Sequence, residues 1–458
     1  MTTATNDPDK KIKTIGDRAA LPMIALTLPI ALEQLLRVLI SSVDTVMLSS
    51  YSPSAVAGVG MMGQYIFFVQ ILFNVICIGT SIVLAQYLGA KRMNDVRHVA
   101  QGSAVMAVVV AIAILVGVIL GAKPLLSVYT LEPDVREYAL QFFVIYGGVG
   151  SIFIAFNMLQ GTILRAYGYT KDAMYIAIAT NVINVIGNSF ALYGWFGLPV
   201  TGVLGVSISS TFAQLAACFL MAWRIKLHPD VQFPLKGWRT VPRSIYRTIL
   251  SIGVPTAGEN MSYNVAQIVI MAMVSTLGTL AMSAMVYTQT IARFVFIVAL
   301  AIGNAVQIKT GYFVGAKEPE KAYRRLYRYQ AIGTAISVAM IVFINLVKVP
   351  LISVFTREAE IAALTSSLLL FSIYIETGRS LNLVVIPGLK GAGDVKFPVL
   401  YGIFNMWFFM VLGGWFLCFK VGLGLIGIWI AIGTDETLRG IVMLFRWRSK
   451  RWMQKAIA

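Results

Sequence analysis

Long apolar runs alternate with short polar breaks along almost the whole chain. Twelve runs stand out, near 21–48, 55–82, 97–121, 137–159, 173–194, 200–223, 245–274, 280–308, 328–347, 361–386, 397–419 and 422–445. Each is long enough for a helix to cross a hydrocarbon layer, which takes about 20 residues at 1.5 Å rise. In lipid every backbone polar group must be satisfied within the segment, so runs of this length predict helices. The expected fold class is therefore all-α: a polytopic membrane protein of twelve transmembrane helices.

Composition agrees. Mean hydropathy is +0.78, and charged residues are 12% of the chain, half the roughly 25% of a soluble protein. The gaps between runs leave no room for a soluble domain. The polar residues 1–20 carry Lys10, Lys11, Lys13 and Arg18, and the apolar run after them is too long for a cleavable signal. Cys77, Cys218 and Cys418 lie far apart inside apolar runs and read as packing residues. His98 and His228 have no Cys or His at ligand spacing, so neither a metal site nor a cofactor is expected.

A net charge of +17 raises the question of nucleic acid. Its distribution answers it. Sorted by loop, 28 of the 37 Lys and Arg fall on one side and 5 (Lys123, Arg136, Lys348, Arg357, Lys420) on the other. With residues at the run edges counted to the loops, Arg37, Arg293, Arg379 and Arg439 remain inside the runs. Such asymmetry places the rich side, and both termini, in the cytoplasm, with the protein multi-pass in the inner membrane. The basic loops meet lipid headgroups, not nucleic acid.

The chain also repeats itself. Shifted by 226 residues, Pro29 falls on Pro255, Glu33 on Glu259, Met47 on Met273, and Gly89-Ala90-Lys91 on Gly315-Ala316-Lys317. More loosely, Arg165 to Gly168 matches Lys390 to Gly393, and Gly202 to Gly205 matches Gly424 to Gly427. Two six-helix bundles in the same orientation follow, related by a pseudo-twofold axis along the membrane normal, with a cargo path between them. The expected organisation is a tail at 1–20, an N-lobe at 21–224, a linker at 225–243, a C-lobe at 244–446 and a basic tail at 447–458. Pro29 and Pro255 interrupt the opening helix of each half and read as hinges. In the Gly-Ala-Lys turns the glycine is expected to supply positive φ.

Besides Glu137 at the edge of the fourth, six acids lie inside the runs. Charges there are costly and are kept for pairing or function. Glu33 has Arg37 four residues on; Glu376 has Arg379 at three; Asp435 and Glu436 have Arg439 at four and three. These pairs lie within reach on one helix face, and with Arg293 they form the candidate polar network of the cavity and second lobe. Asp44 has only Ile40, Ser41, Met47 and Leu48 at those offsets, and Glu259 has Pro255, Thr256, Ser262 and Tyr263. Both are candidate ion-coupling acids, Glu259 with Arg293 as an alternative partner. A carboxyl withdrawn from water without a counter-charge can bind and release a proton, or offer its oxygens to Na⁺. Asn184 and Asn188 share one face of the fifth run, with Asn181 before them and Ser207, Ser209 and Ser210 in the sixth. Such amides glue helices together or coordinate an ion. Aromatic and methionine residues such as Met61, Tyr65, Phe67, Tyr287 and Phe294 are expected mostly to face lipid or core, with a few lining any cavity that takes flat organic cations.

Taken together, SSVDTVMLSSYSP in the first run, GAKR after the second, LQGTILRAYGYTK after the fourth, NVINVIGNSFALYG and GVPTAGEN resemble the multidrug and toxic compound extrusion (MATE) family over about residues 20–446. The resemblance implies an antiporter that exports drugs or metabolites in exchange for H⁺ or Na⁺, not an enzyme. It implies Asp44 as the coupling acid, Asn184 and Asn188 as its partners, and Ser210 where a threonine is usual. Asn188 stands where some members have an acid, and Arg379 where some have a second-lobe acid. A monomer handling small organic cations is expected. The alternative is a flippase or exporter of a lipid-linked or amphipathic metabolite, which would need a cationic cavity.

Overall fold

In a computed structural model the described residues are 21–197, 199–233 and 237–457, without the side chains of 40–42, 196 and 238. The expected tail at 1–20 and Lys236 of the linker lie outside them. The described residues form twelve long helices and no strand. They are α1 (Met23–Tyr51), α2 (Pro53–Gly89), α3 (Met93–Ser127), α4 (Pro133–Ala166), α5 (Thr170–Tyr193), α6 (Gly202–Leu227), α7 (Arg243–Ser275), α8 (Thr279–Gly315), α9 (Pro319–Leu346), α10 (Ala359–Gly391), α11 (Lys396–Lys420) and α12 (Gly424–Arg448). Each covers one of the twelve apolar runs. Ten are long and apolar enough to cross a membrane. The other two, α7 and α12, hold Arg243, Arg247 and Glu259, and Asp435, Glu436 and Arg439.

The chain divides into two compact units. One comprises 28–84 and 92–253; the other comprises 21–27, 85–91 and 254 onward. The first boundary falls inside α1 one residue before Pro29, and the last falls inside α7 one residue before Pro255. Each repeat-related proline therefore opens the part of its helix that packs with its own half. In the first unit, Met47, Met62, Ile66, Val118, Leu126 and Phe142 lie in one core. In the second, Ile270, Met285, Leu368, Met406 and Trp429 form one core, and Phe313, Leu326, Leu389, Met443 and Trp447 another. Large apolar side chains also cover the outside, among them Leu120, Phe219 and Leu346. A soluble surface does not tolerate that; a lipid-facing one requires it.

The repeat is written into the backbone. Gly168 and Gly393 take φ +86° and +94°, and Lys91 and Lys317 take +58° and +59°. The last pair corrects an expectation: in the Gly-Ala-Lys turns the lysine, not the glycine, is left-handed. At the end of α8 the Lys317 N–H bonds to Val314 O and the Glu318 N–H to Phe313 O at 2.8 Å. That is a Schellman cap with lysine in the position glycine usually fills. Gly315 is instead required by packing, because a Cβ there would run into the carbonyl of Gln86 in α2.

Candidate polar sites within each unit

Asp44 lies in the second half of α1. Its Oδ1 accepts a hydrogen bond from Asn188 Nδ2 at 3.0 Å. The same amide group reaches Asn184 Oδ1 at 3.2 Å, and Asn184 Nδ2 donates to Ser210 Oγ at 2.9 Å. Asp44, Asn188, Asn184 and Ser210 thus form one polar chain across α1, α5 and α6. The close approach of α5 and α6 depends on Gly187, where a Cβ would lie 3.0 Å from the Ser209 Cβ. Among the described residues Asp44 makes no ion pair. The carbonyl oxygen of Asn188 is buried and has no partner among them. The other acids deep inside the spans, Glu33, Glu259, Glu376, Asp435 and Glu436, are each paired with a cation.

Glu33 accepts from Arg37 at 3.2 Å, as spacing predicts. Its second cation, Arg165 in the last turn of α4, reaches both carboxylate oxygens at 3.1 Å. Arg37 is mostly exposed, so Arg165 supplies the inner contact. In the other unit, Glu259 is not free and does not meet Arg293. Lys390, in the last turn of α10, donates to it at 2.7 Å, with both side chains buried. Arg293 is exposed and makes no ion pair among the described residues. Sequence reasoning placed Arg165 and Lys390 in loops as orientation signals. The structure folds each into a helix end, where a cation also suits the helix dipole.

Glu376, Arg379, Asp435, Glu436 and Arg439 come together between α10 and α12. Arg379 donates to Glu376 and, from Nε, to Glu436 at 3.0 Å. Its guanidinium lies 5.7 Å from the centre of the Phe296 ring. Arg439 pairs with Asp435. The expected pairing of Glu436 with Arg439 is corrected: Glu436 takes Arg379 and Asn382 instead. Asn405 of α11 donates to the Asp435 carboxylate at 2.6 Å and to its backbone oxygen at 2.8 Å. Asn382 and Asn405 were not singled out from sequence, since a single Asn in an apolar run carries no spacing signal. The three thiols are free, Cys77 and Cys418 buried and Cys218 half-buried.

The MatE family model matches residues 29–190 and again residues 255–416, once in each half. The chain belongs to the MATE family. This is a family of transporters, not of enzymes, and the protein is a multi-pass membrane protein. The "Uncharacterized transporter YisQ" of Bacillus subtilis (strain 168) is 35% identical over 440 residues, covering 95% of this chain and 96% of the relative. The "Multidrug resistance protein NorM" of Burkholderia vietnamiensis is 26% identical, covering 94% of each. Among solved structures, an outward-facing multidrug resistance MATE transporter of the MOP superfamily has a TM-score of 0.86 at 19% identity, covering 99% of this chain and 100% of that one. A MATE protein in a bent conformation has a TM-score of 0.85 at 20% identity, covering 93% and 94%. At those identities the structural likeness establishes the shared fold.

Proposed function

We propose that this MATE transporter is a secondary active antiporter of the inner membrane, with both termini cytoplasmic, exporting small organic cations in exchange for H⁺ or Na⁺. The observation that carries the reading is the contrast among span acids. Glu33, Glu259, Glu376, Asp435 and Glu436 all hold cations, whereas among the described residues Asp44 holds only an amide. Its neighbour Asn188 has a buried carbonyl oxygen without a partner among the described residues. A carboxylate beside a free carbonyl oxygen suits an incoming proton or a hard cation, which takes oxygen ligands. The relatives named NorM support drug export as the class of cargo.

In this reading cargo enters from the cytoplasm, an ion from outside reaches Asp44, and α1 repacks about Pro29. The missing proline N–H leaves one backbone bond of α1 unmade, so bending there costs little further bonding. The two lobes act as alternating halves about a central path. Asn184, Asn188 and Ser210 order the Asp44 carboxylate, and Glu259 is assigned a structural pairing with Lys390. The flippase alternative is less well supported, because Arg379 is already neutralised by two carboxylates.

The test is drug efflux from proteoliposomes with pH and Na⁺ gradients imposed separately. Export that follows one gradient in the parent and is lost in Asp44→Asn, at equal reconstitution, supports the reading. Gradient-driven export at full rate in Asp44→Asn overturns it.

A further inference from the structure

The segment after α12 is expected from its composition to be a plain basic tail. The structure folds it back instead. Lys450 turns the chain with φ +58°. Residues Arg451–Lys455 form a short 3₁₀ helix. Trp452 is fully buried and stacks on Trp447 with ring centres 4.0 Å apart. Its indole N–H donates to the Trp447 carbonyl at 2.9 Å. Both rings belong to the core that also contains Phe313, Leu326 and Leu389. Lys450 pairs with Glu320 at the start of α9. Arg446, at the end of α12, pairs with Asp394 beyond α10 at 2.7 Å.

Past this plug the chain reaches α2. The backbone N–H of Ile457 donates to Gln86 Oε1 at 2.7 Å, and Gln86 Nε2 donates to the carbonyl of Gly391 at 2.8 Å. Gln86 is fully buried. It belongs to 85–91, the one piece of α2 that packs with the unit containing the second half of the chain. The side chain of Gln86 is thus spent on joining three separate segments: the end of α2, the end of α10 and the tail.

We propose that residues 449–457 form a strap, plugged by Trp452, that fastens the end of α2 into this unit and must let go for the exporter to open on that side. The proposal rests on the alternating-access reading, in which the ends of helices from the two halves part during each cycle. An indole pair with a satisfied N–H gives a specific, well-packed anchor. A single buried amide bonded on both its N and O ends is the kind of contact that breaks as a unit.

Hydrogen exchange on the full-length protein in lipid nanodiscs tests it. Trp452→Ala removes the plug; deletion of 456–458 keeps the plug and the 3₁₀ helix and removes the Ile457 bond to Gln86. The expected result is exchange at 85–91 faster by tenfold or more in Trp452→Ala and by about fivefold in the deletion, the worth of one net hydrogen bond, with α5 unchanged. Wild-type exchange at 85–91 in the deletion overturns the strap, and that variant decides the question if Trp452→Ala does not fold. The readout is exchange, so loss of the strap and failure of the exporter reading register as separate results.

Discussion

Lys390 reaches the Glu259 carboxylate at 2.7 Å, 131 residues along the chain, and the repeat maps this pair onto Arg165 and Glu33, 132 residues apart. Each half thus ties its opening helix to the end of its fourth with one acid and one base. The duplicated geometry argues that the pairs are structural fastenings inherited with the fold. Breaking a buried pair leaves a charge uncompensated, at about 3–5 kcal/mol, whereas replacing both partners by apolar residues is often neutral. Glu259→Ala is therefore expected to lower the thermal unfolding midpoint in detergent sharply, and Glu259→Met with Lys390→Met to restore most of it. A single mutant as stable as the parent would remove the fastening role.

Asp44 has a different expected phenotype. Asp44→Asn keeps the shape and the contact with Asn188, so the unfolding midpoint should hold while export falls about tenfold or more, a barrier change of at least ~1.4 kcal/mol. Asn188→Ala removes the one hydrogen bond observed on the Asp44 carboxylate. A bond to a charged group is worth about 1.5–3 kcal/mol and favours the empty carboxylate over its protonated form, so this variant should keep coupling and, if the ion is H⁺, reach half-maximal export at a shallower gradient. Initial rates against gradient size separate the two outcomes.

Arg379 is held by two carboxylates in a network of three acids and two guanidiniums. Removing it strands Glu376 and Glu436 together. Arg379→Leu should destabilise by about 3–5 kcal/mol, and adding Glu376→Gln and Glu436→Gln should recover much of the loss. Fluorescence-detected size exclusion after a heat ramp provides the measurement. An Arg379→Leu protein that survives the ramp unchanged would mean that the two acids find another cation.

Helices, span number and repeat were legible because lipid imposes one rule on every segment, and apolar length reveals it directly. Asp44 stood out for a related reason: its own helix supplies no cation three or four residues away, and the structure supplies none among the described residues. What stayed hidden were partners from other helices. Intrahelical spacing gave Arg37 to Glu33 but not Arg165, and gave Arg439 to Glu436, which takes Arg379 instead. The repeat contained the missing signal. Glu33 aligns with Glu259, and Arg165 aligns with Lys390, so two acids and two bases recur at matching places. Read as orientation charges, the bases concealed a pairing that the duplication had recorded twice.

Gly315 offers a packing test with an internal control. At the crossing of α2 and α8 a Cβ on Gly315 would meet the Gln86 carbonyl, while one on Gly60 would meet nothing within 4 Å. A helix interior alone favours alanine over glycine by about 0.8–1.0 kcal/mol, so Gly60→Ala should be neutral or mildly stabilising. Backbone cannot yield as a side-chain tip can, and overpacking costs about 1–3 kcal/mol, so Gly315→Ala should lower the unfolding midpoint despite the better helix propensity. It should also loosen the Gln86–Gly391 bond, since the end of α2 has to shift. Opposite signs for the two substitutions identify backbone contact as the cause. If both raise the midpoint, the crossing is looser than the structure shows, and the glycine is there for some reason other than close approach.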